Sequence, residues 1–496
     1  MQENLSRSEV VDPAKKTNVE TALADIEDVE RGGKLFTDIE ASANIATKFE
    51  KAFPVDTTPI LRGFLRDFSS NKEPITVSFR QLVPWVKPER ATHYIHSYPA
   101  KLLPQIAHFF VAAQNLVEPG GSVLDPFAGT GTVALETILS NRTALYADAN
   151  PLARLITDVK TTPLGEDNIE QAIRRVKDKF QSTREGVLPD VININHWYEP
   201  DIIAQLGRLK VAINVEADRG VKNLLQLTFS STAKKVSLAD PRFSVPVRSK
   251  FSRLNNQLPR DERDEFVWNT FASQYAANRL RMRNFFGLCP NKPIAMNVGS
   301  DARKLLSPQL DHSANLDRLA DESIDLVITS PPYAGAQKYI RSSSLSLGWL
   351  GLAGAKELKP LENLSIGREH YLKSECQHLQ HTGLPQADLL IEKVFKINQT
   401  RAKIAANYLI EMRDAVSEMG RVIKPGGFVV LIIGDNEVCG HVFETSSYLT
   451  ALFEEVGFIV KVKLVDNILS RGLITKRHHT AGVITREWVI VLEKGV

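Results

Sequence analysis

Apolar residues recur along this chain with two different spacings, and the alternation between them outlines a fold. Val123 and Leu124 open a short buried run that ends in Asp125-Pro126-Phe127-Ala128-Gly129-Thr130-Gly131-Thr132, after which Val133, Ala134, Leu135, Ile138 and Leu139 follow with helical spacing. This predicts a strand, a tight glycine turn and a helix. A second strand, Ala144 to Ala147, ends at Asp148, and helical sequence follows Pro151, a residue favoured at the first position of a helix. The next strand-like run is Ile294 to Val298, so a large segment is inserted between the second and third strands. Ile324 to Ile328 predicts a fourth strand. Phe428 to Ile433 predicts a fifth, after a Lys424-Pro425-Gly426-Gly427 turn, and Phe458 to Val465 and Trp488 to Leu492 a last pair. Strands alternating with helices imply an α/β fold built on a doubly wound, Rossmann-like sheet.

The inserted segment is too long for a structureless loop and must carry elements of its own. Ile202 to Leu209 and Val221 to Phe229 have helical apolar spacing, whereas Pro241 to Arg260 is basic and punctuated by proline. Residues 1 to about 30 are polar and read as a loose tail, and Ile39 to Phe53 suits a helix. The expected organisation is an N-terminal tail and helical extension (1–90), a first catalytic part (91–163), the inserted unit (164–292) and a second catalytic part (293–496), with a further helical insertion at about 351–405.

A hydrophobic fraction of 43% is ordinary for a globular protein of 496 residues, which is long enough for more than one domain. No apolar run approaches the roughly 18 residues of a membrane span, and the opening MQENLSRSEVVDPAKK lacks a signal-peptide core, so the expected location is cytoplasmic, without membrane contact. Cys289, Cys376 and Cys439 lie far apart with no metal-ligand spacing, which argues for reduced thiols and no metal site. The net charge of +3 is too small to diagnose a nucleic-acid partner, so the distribution matters more. Basic residues gather at Arg242, Arg248, Lys250, Arg253 and Arg260, at Arg279, Arg281 and Arg283, and at Arg471, Lys476 and Arg477; each group also reads as a solvated face.

Gly129-x-Gly131-x-x-Ala134 fits a dinucleotide-binding turn, and Asp148 at the next strand end suits a ribose diol. Taken alone, these features suit a nicotinamide enzyme as well, or a glycine turn with no ligand. The whole string Asp125 to Thr132, however, resembles the first motif of amino-methylating DNA methyltransferases. Ala147-Asp148-Ala149-Asn150-Pro151 is similar to that family's ribose-binding strand end, and Val298-Gly299-Ser300-Asp301-Ala302 to the segment whose acid receives the cofactor's adenine amino group. Thr329-Ser330-Pro331-Pro332-Tyr333, after the fourth strand, resembles the catalytic motif of the N4-cytosine branch; N6-adenine relatives usually carry Asp or Asn in place of Ser330. His96-Ser97-Tyr98-Pro99-Ala100-Lys101 resembles the segment that packs against the methionine end of the cofactor.

The resemblance covers residues 91 to 163 and 293 to 345, and more loosely 415 to 496. It implies S-adenosyl-L-methionine as cofactor, with contacts from Lys101, Asp125, Phe127, Gly129, Gly131, Asp148 and Asp301, and catalysis by Ser330, Pro331, Pro332 and Tyr333. An exposed lysine is the alternative for Lys101, and a strand-end surface aspartate for Asp301. The chemistry explains the catalytic residue types. An exocyclic amino group is a poor nucleophile because its lone pair is delocalised into the ring. Acceptors such as Ser330 and the Pro331 carbonyl hold its hydrogens out of plane, the two prolines aim that carbonyl in advance, and Tyr333 offers a flat face to an extruded base. Cytosine C5 methylation needs a cysteine nucleophile, and the only nearby pair, Cys289-Pro290, is in reversed order outside any strand-end motif.

The resulting expectation is a site-specific duplex-DNA methyltransferase acting on cytosine N4, of restriction-modification type with a cognate endonuclease. The inserted Arg242, Arg248, Lys250 and Arg253 would contact DNA. The alternatives are N6-adenine methylation, RNA methylation, and a non-catalytic nucleic-acid-binding module. The insertion itself reads alternatively as a lid or an oligomerisation element, and 351–405 as the DNA reader. The family places its long insertion nearer the catalytic motif, a departure that bears on where the target is recognised.

Overall fold

The predicted strands assemble into one eight-stranded sheet in the computed structural model, which describes residues 55–99, 101–249, 260–289, 294–308, 317–335, 339–467 and 486–496. The expected tail, the Ile39 to Phe53 helix, Lys250, Arg253 and the Arg471, Lys476, Arg477 group lie outside the described residues, as does the side chain of Arg260. The strands are β1 (Ile75–Val77), β2 (Ser122–Asp125), β3 (Thr143–Tyr146), β4 (Met296–Asn297), β5 (Ile324–Thr329), β6 (Ile423–Ile433), β7 (Asn436–Val438), β8 (His441–Phe443), β9 (Phe458–Asn467) and β10 (Arg486–Lys494). Their order in the main sheet is β1-β9-β10-β6-β5-β2-β3-β4, and β7 and β8 form a separate hairpin. All neighbours run parallel except β10, which lies antiparallel between β6 and β9.

Strand order reverses between β2 and β5, so a crevice opens at the carboxyl ends of these two strands. The strands read as apolar runs because both faces are covered. Val123, Leu326, Ile328 and Val430 point into one core with Phe109 and Phe110, whereas Leu124, Val327 and Val429 point into the other with Met412, Val416 and Leu449.

Two expectations need correction. The Lys424 to Gly427 segment is not a turn ahead of the fifth strand but a bulge within β6: Ile423 pairs with Ile324, and pairing resumes with Phe428 opposite Leu326. A Cβ on Gly427 would lie 2.9 Å from the Asp325 carbonyl oxygen, so the bulge closes only over glycine. The third strand is cut to Met296–Asn297, because it sits at the sheet edge with β3 as its one partner.

The longer helices are α1 (Thr58–Asn71), α2 (Pro104–Val111), α3 (Thr132–Leu139), α4 (Pro151–Thr161), α5 (Glu166–Ser182), α6 (Pro200–Asn214), α7 (Arg219–Lys235), α8 (Arg260–Leu288), α9 (Tyr339–Leu350), α10 (Pro385–Ile397), α11 (Gln399–Val422) and α12 (Thr445–Glu455). The segment between β3 and β4 is a helical bundle, α5 to α8. Its α7 packs against both α4 and α9, and its apolar side chains share one cluster with Leu135, Ile156 and Trp349. Arg279 bonds Glu166 and Glu170 of α5 at 2.8 and 2.9 Å, so that basic residue braces the bundle. Cys289 and Cys376 are buried, and none of the three cysteines forms a disulfide. No helix among the described residues is long and apolar enough to cross a membrane.

Candidate active site

The glycine turn joins β2 to α3 through two residues in the left-handed region, Gly129 (φ 51°) and Gly131 (φ 66°). They are required for different reasons. A Cβ on Gly131 would stand 2.7 Å from the Thr157 side chain of α4, so glycine lets the two helices close. The nearest atom to a Cβ on Gly129 is the Tyr98 ring edge at 3.9 Å, so glycine there serves the backbone conformation and leaves the main chain bare for a ligand.

Asp148 latches this turn from the end of β3. Its Oδ2 accepts from the Gly129 N–H and its Oδ1 from the Asn150 N–H, both at 2.8 Å. Burial raises its pKa, and these two bonds pull the other way. Asn150 caps α4 through Oδ1, which accepts from the Leu152 N–H at 3.0 Å. Its amide donates to Tyr98 Oη (3.0 Å) and Ser343 Oγ (3.1 Å). The Tyr98 ring stacks on Tyr339 at 6.3 Å and 14°. Tyr339 and Ser343 were invisible to sequence reasoning; the asparagine-proline pair at 150–151 was the available signal for the cap.

Asp125 is buried at the end of β2, and its Oδ1 accepts from the Phe127 N–H (3.1 Å) and from Thr329 Oγ1 (2.7 Å) at the end of β5. It therefore straps together the two strands that flank the crevice. Burial pushes its carboxyl up to about 7, against the pull of these bonds. Nothing local in the sequence pointed to Thr329 as its partner.

Ser330 to Tyr333 leaves β5 directly after that strap. Pro331 is buried, and Ser330, Pro332 and Tyr333 are half-buried. Gly367 supports the loop from behind: its carbonyl accepts from the Gly335 N–H at 3.1 Å, and a Cβ there would lie 2.6 Å from the Tyr333 oxygen. Segment 351–405 thus backs the tetrapeptide.

Lys101 is half-buried; its Nζ donates to the His96 carbonyl at 2.9 Å and lies 5.2 Å from the Tyr94 ring centroid. Burial, with Arg281 nearby, lowers its ammonium to about 8. His96 Nε2 shares a hydrogen bond with Ser230 of α7 at 3.1 Å, tying this segment to the inserted bundle. Asp301 is held by Arg303, whose Nε and Nη2 donate to Oδ1 and Oδ2 at 2.8 and 3.0 Å. Any adenine amino group meeting Asp301 would share it with that guanidinium.

The basic stretch of the insertion begins as a small hairpin: Ala239 bridges Arg248, the Asp240 N–H donates to Val247, and Ser249 to Leu238. Arg242 at its tip is clasped by Asp240, Nε to Oδ1 at 3.0 Å and Nη2 to Oδ2 at 2.6 Å. Arg248 Nη1 lies 3.5 Å from His196 Nδ1. Phe243 and Val247 are exposed beside them. No cluster of metal-ligating side chains occurs among the described residues.

No protein-family model matches the chain. It is 25% identical over 382 residues to the type II methyltransferase M.MvaI of Kocuria varians, spanning 73% of this chain and 81% of that one. It is 21% identical to the type II methyltransferase M.BsoBI of Geobacillus stearothermophilus (70% of this chain, 75% of the other) and 22% identical to M.AvaI of Anabaena variabilis (69% and 74%). A candidate DNA modification methylase from Thermus thermophilus, solved in complex with S-adenosyl-L-methionine, aligns with 36% of this chain and half of its own (50%), at 18% identity and a TM-score of 0.18. The fold is defined by the strand order. Over about 70% of its length the chain is similar in sequence to these type II methyltransferases.

Proposed function

We propose that this chain is an S-adenosylmethionine-dependent DNA methyltransferase that methylates cytosine N4 at a specific duplex sequence, as the modification partner of a cognate restriction endonuclease. The observation that supports this most is the sharing of one switch point by the glycine turn and the Ser330 tetrapeptide, their strand ends joined by the 2.7 Å bond from Thr329 to Asp125. The homology to type II methyltransferases supports the same reading.

The residues present fit the cofactor. Gly129 offers uncovered backbone beside a helix N-terminus, and each Asp148 oxygen accepts one backbone N–H, leaving a lone pair for a ribose hydroxyl. Gly131 and Phe127 shape the turn, Asp125 fixes it to β5, Asp301 meets the adenine amino group and Lys101 the methionine carboxylate. The cofactor supplies a methyl group on a sulfonium, an electrophile that a weakly nucleophilic amine can attack. Ser330 Oγ and the Pro331 carbonyl accept the two amino hydrogens, and Tyr333 stacks on the extruded ring. The amino nitrogen would be left with one excess proton, which would pass to water. Arg242, Arg248, Lys250 and Arg253 approach phosphates, for which Arg242 exchanges its partner Asp240.

Incubation with methyl-labelled cofactor and mixed duplex DNA, followed by nucleoside mass spectrometry, tests this directly. N4-methylcytosine is expected. N6-methyladenine alone, or label only in RNA, overturns the assignment of the target.

A further inference from the structure

Behind the catalytic loop, charged side chains connect Asp301 to the support of Tyr333 without a break. Arg303 holds both oxygens of Asp301 and reaches onward, its Nη1 3.4 Å from Glu411 Oε1 and its Nη2 donating to the Leu364 carbonyl at 3.2 Å. The same Glu411 oxygen accepts from Arg368 Nη1, so one carboxylate on α11 ties two guanidiniums together. Arg368 directly follows Gly367, whose carbonyl accepts from the Gly335 N–H and whose Cβ position is 2.6 Å from the Tyr333 oxygen. The Arg368 guanidinium also lies 4.8 Å from the centre of the Tyr371 ring, a contact that steadies it. Two observations show slack in this relay. Glu411 is 9% exposed, and its Oε2 is buried with no hydrogen-bond partner among the described residues, a state in which carboxylate oxygens are seldom left. The onward contacts of Arg303, at 3.4 and 3.2 Å, are longer than the roughly 2.8 Å of a close charge-assisted bond, whereas its bonds to Asp301 are 2.8 and 3.0 Å.

We propose that Glu411 is a positioning residue that couples the cofactor pocket to the catalytic loop, so that cofactor and target base bind cooperatively. This rests on the methyltransferase reading above, in which Asp301 meets the adenine amino group. Asp301, on accepting that amino group, releases part of its hold on Arg303. Arg303 then turns to the acceptors beside it, the idle Glu411 Oε2 and the Leu364 carbonyl, whose contact has room to shorten. Both changes draw residues 364–368 against α11, and Gly367 with them against the Tyr333 main chain. Ser330 and Pro331 are thereby held more firmly where they meet the base. Linkage makes the effect reciprocal: a base seated on the loop tightens cofactor binding by the same factor. Glu411 and Arg368 touch neither ligand and act only through Arg303 and Gly367.

The test is a binding cycle on the full chain. Fluorescence anisotropy measures affinity for a labelled duplex carrying the methylation site, with and without saturating S-adenosylhomocysteine; the site is mapped by sequencing DNA that the wild type has modified. The wild type is expected to bind this duplex roughly 5- to 50-fold more tightly when S-adenosylhomocysteine is present. Glu411→Gln, which removes the charge and keeps the shape, should bring that ratio below about twofold. Arg368→Met is the second variant, because it breaks the relay on the loop side alone and leaves Arg303 with Asp301 and Glu411. It should lose the ratio likewise, while binding S-adenosylhomocysteine alone as the wild type does, by calorimetry, and keeping its melting temperature. A merely structural role would instead move the single affinities and the melting temperature together. A wild-type ratio near one, a full ratio in either variant, or an Arg368→Met chain whose cofactor affinity falls along with its ratio would each overturn the assignment of Glu411. A wild type that binds S-adenosylhomocysteine yet methylates no DNA overturns the proposed function, and this coupling with it.

Discussion

Asp125→Asn removes a charge from the strap between β2 and β5 while keeping an oxygen in place for Thr329 Oγ1 and the Phe127 N–H. The aspartate carboxyl, at about 7 in the folded chain against 3.8 for the unperturbed group, binds its proton more tightly when folded. Between those two values the native state therefore holds more protons than the unfolded one, and wild-type stability falls as pH rises from about 4 through 7. At about 1.4 kcal/mol per pH unit, the wild type loses at most roughly 4 kcal/mol across this window, and relaxation around the site reduces that. Asparagine has no charge to bury, so its curve lacks this slope. Urea denaturation of both proteins from pH 5 to pH 8 is the assay, and the difference between them cancels the titration of other carboxyls. The variant should gain on the wild type as pH rises and be the more stable by pH 8. Parallel curves, or a variant less stable at pH 8, would refute the claim that burial dominates at Asp125.

Asp148→Ala should weaken cofactor binding by about 1.5 to 3 kcal/mol, whereas Tyr333→Ala should slow turnover and leave cofactor affinity nearly intact; calorimetry with the reverse pattern would refute both roles. Gly131→Ala combines left-handed strain with a Cβ 2.7 Å from Thr157, and should cost roughly 2 to 4 kcal/mol of stability, an effect that chemical denaturation would detect and a wild-type midpoint would contradict. Neutralising Arg248, Lys250 and Arg253 together should weaken DNA binding and flatten its dependence on log salt by roughly 0.9 for each phosphate no longer neutralised, without change in cofactor affinity; an unaltered salt series would move DNA recognition to another part of the chain.

Legibility followed sequence distance. The strands around the crevice could be read because parallel strands buried on both faces give unbroken apolar runs, and because Asp125, Asp148 and the glycines punctuate their ends. β1 escaped notice: three residues, Ile75–Val77, inside a proline-punctuated stretch, defined as a strand only by pairing with β9. The Lys424 to Gly427 bulge looked like a turn because proline and glycine signal both, and only the register against β5 distinguishes them. Within the site, the strand-end Asp148 and the Ser330 to Tyr333 tetrapeptide were legible as local strings. The bond from Asp125 to Thr329, the stack of Tyr98 on Tyr339 and the bracing by Gly367 were not, since each joins residues far apart in the chain and depends on how the sheet closes. Arg242 illustrates the opposite case: its neutralising partner, Asp240, was two residues away and readable as a competing salt bridge.

The inserted bundle shares its apolar cluster with α3, α4 and α9 and has no core to itself. Exchange of this segment between relatives would not behave like the swapping of a cassette. A transplanted bundle would have to reproduce the surface against which Ile156 and Trp349 pack, or leave voids behind the helix that Asn150 caps and thereby loosen the glycine turn at Gly129 and Gly131. On the DNA-contacting role proposed for the exposed hairpin around Arg242 and Phe243, new sequence preferences would arise more readily by substitution there than by wholesale recombination of the insertion, and inheritance of specificity in such a lineage would be gradual instead of modular.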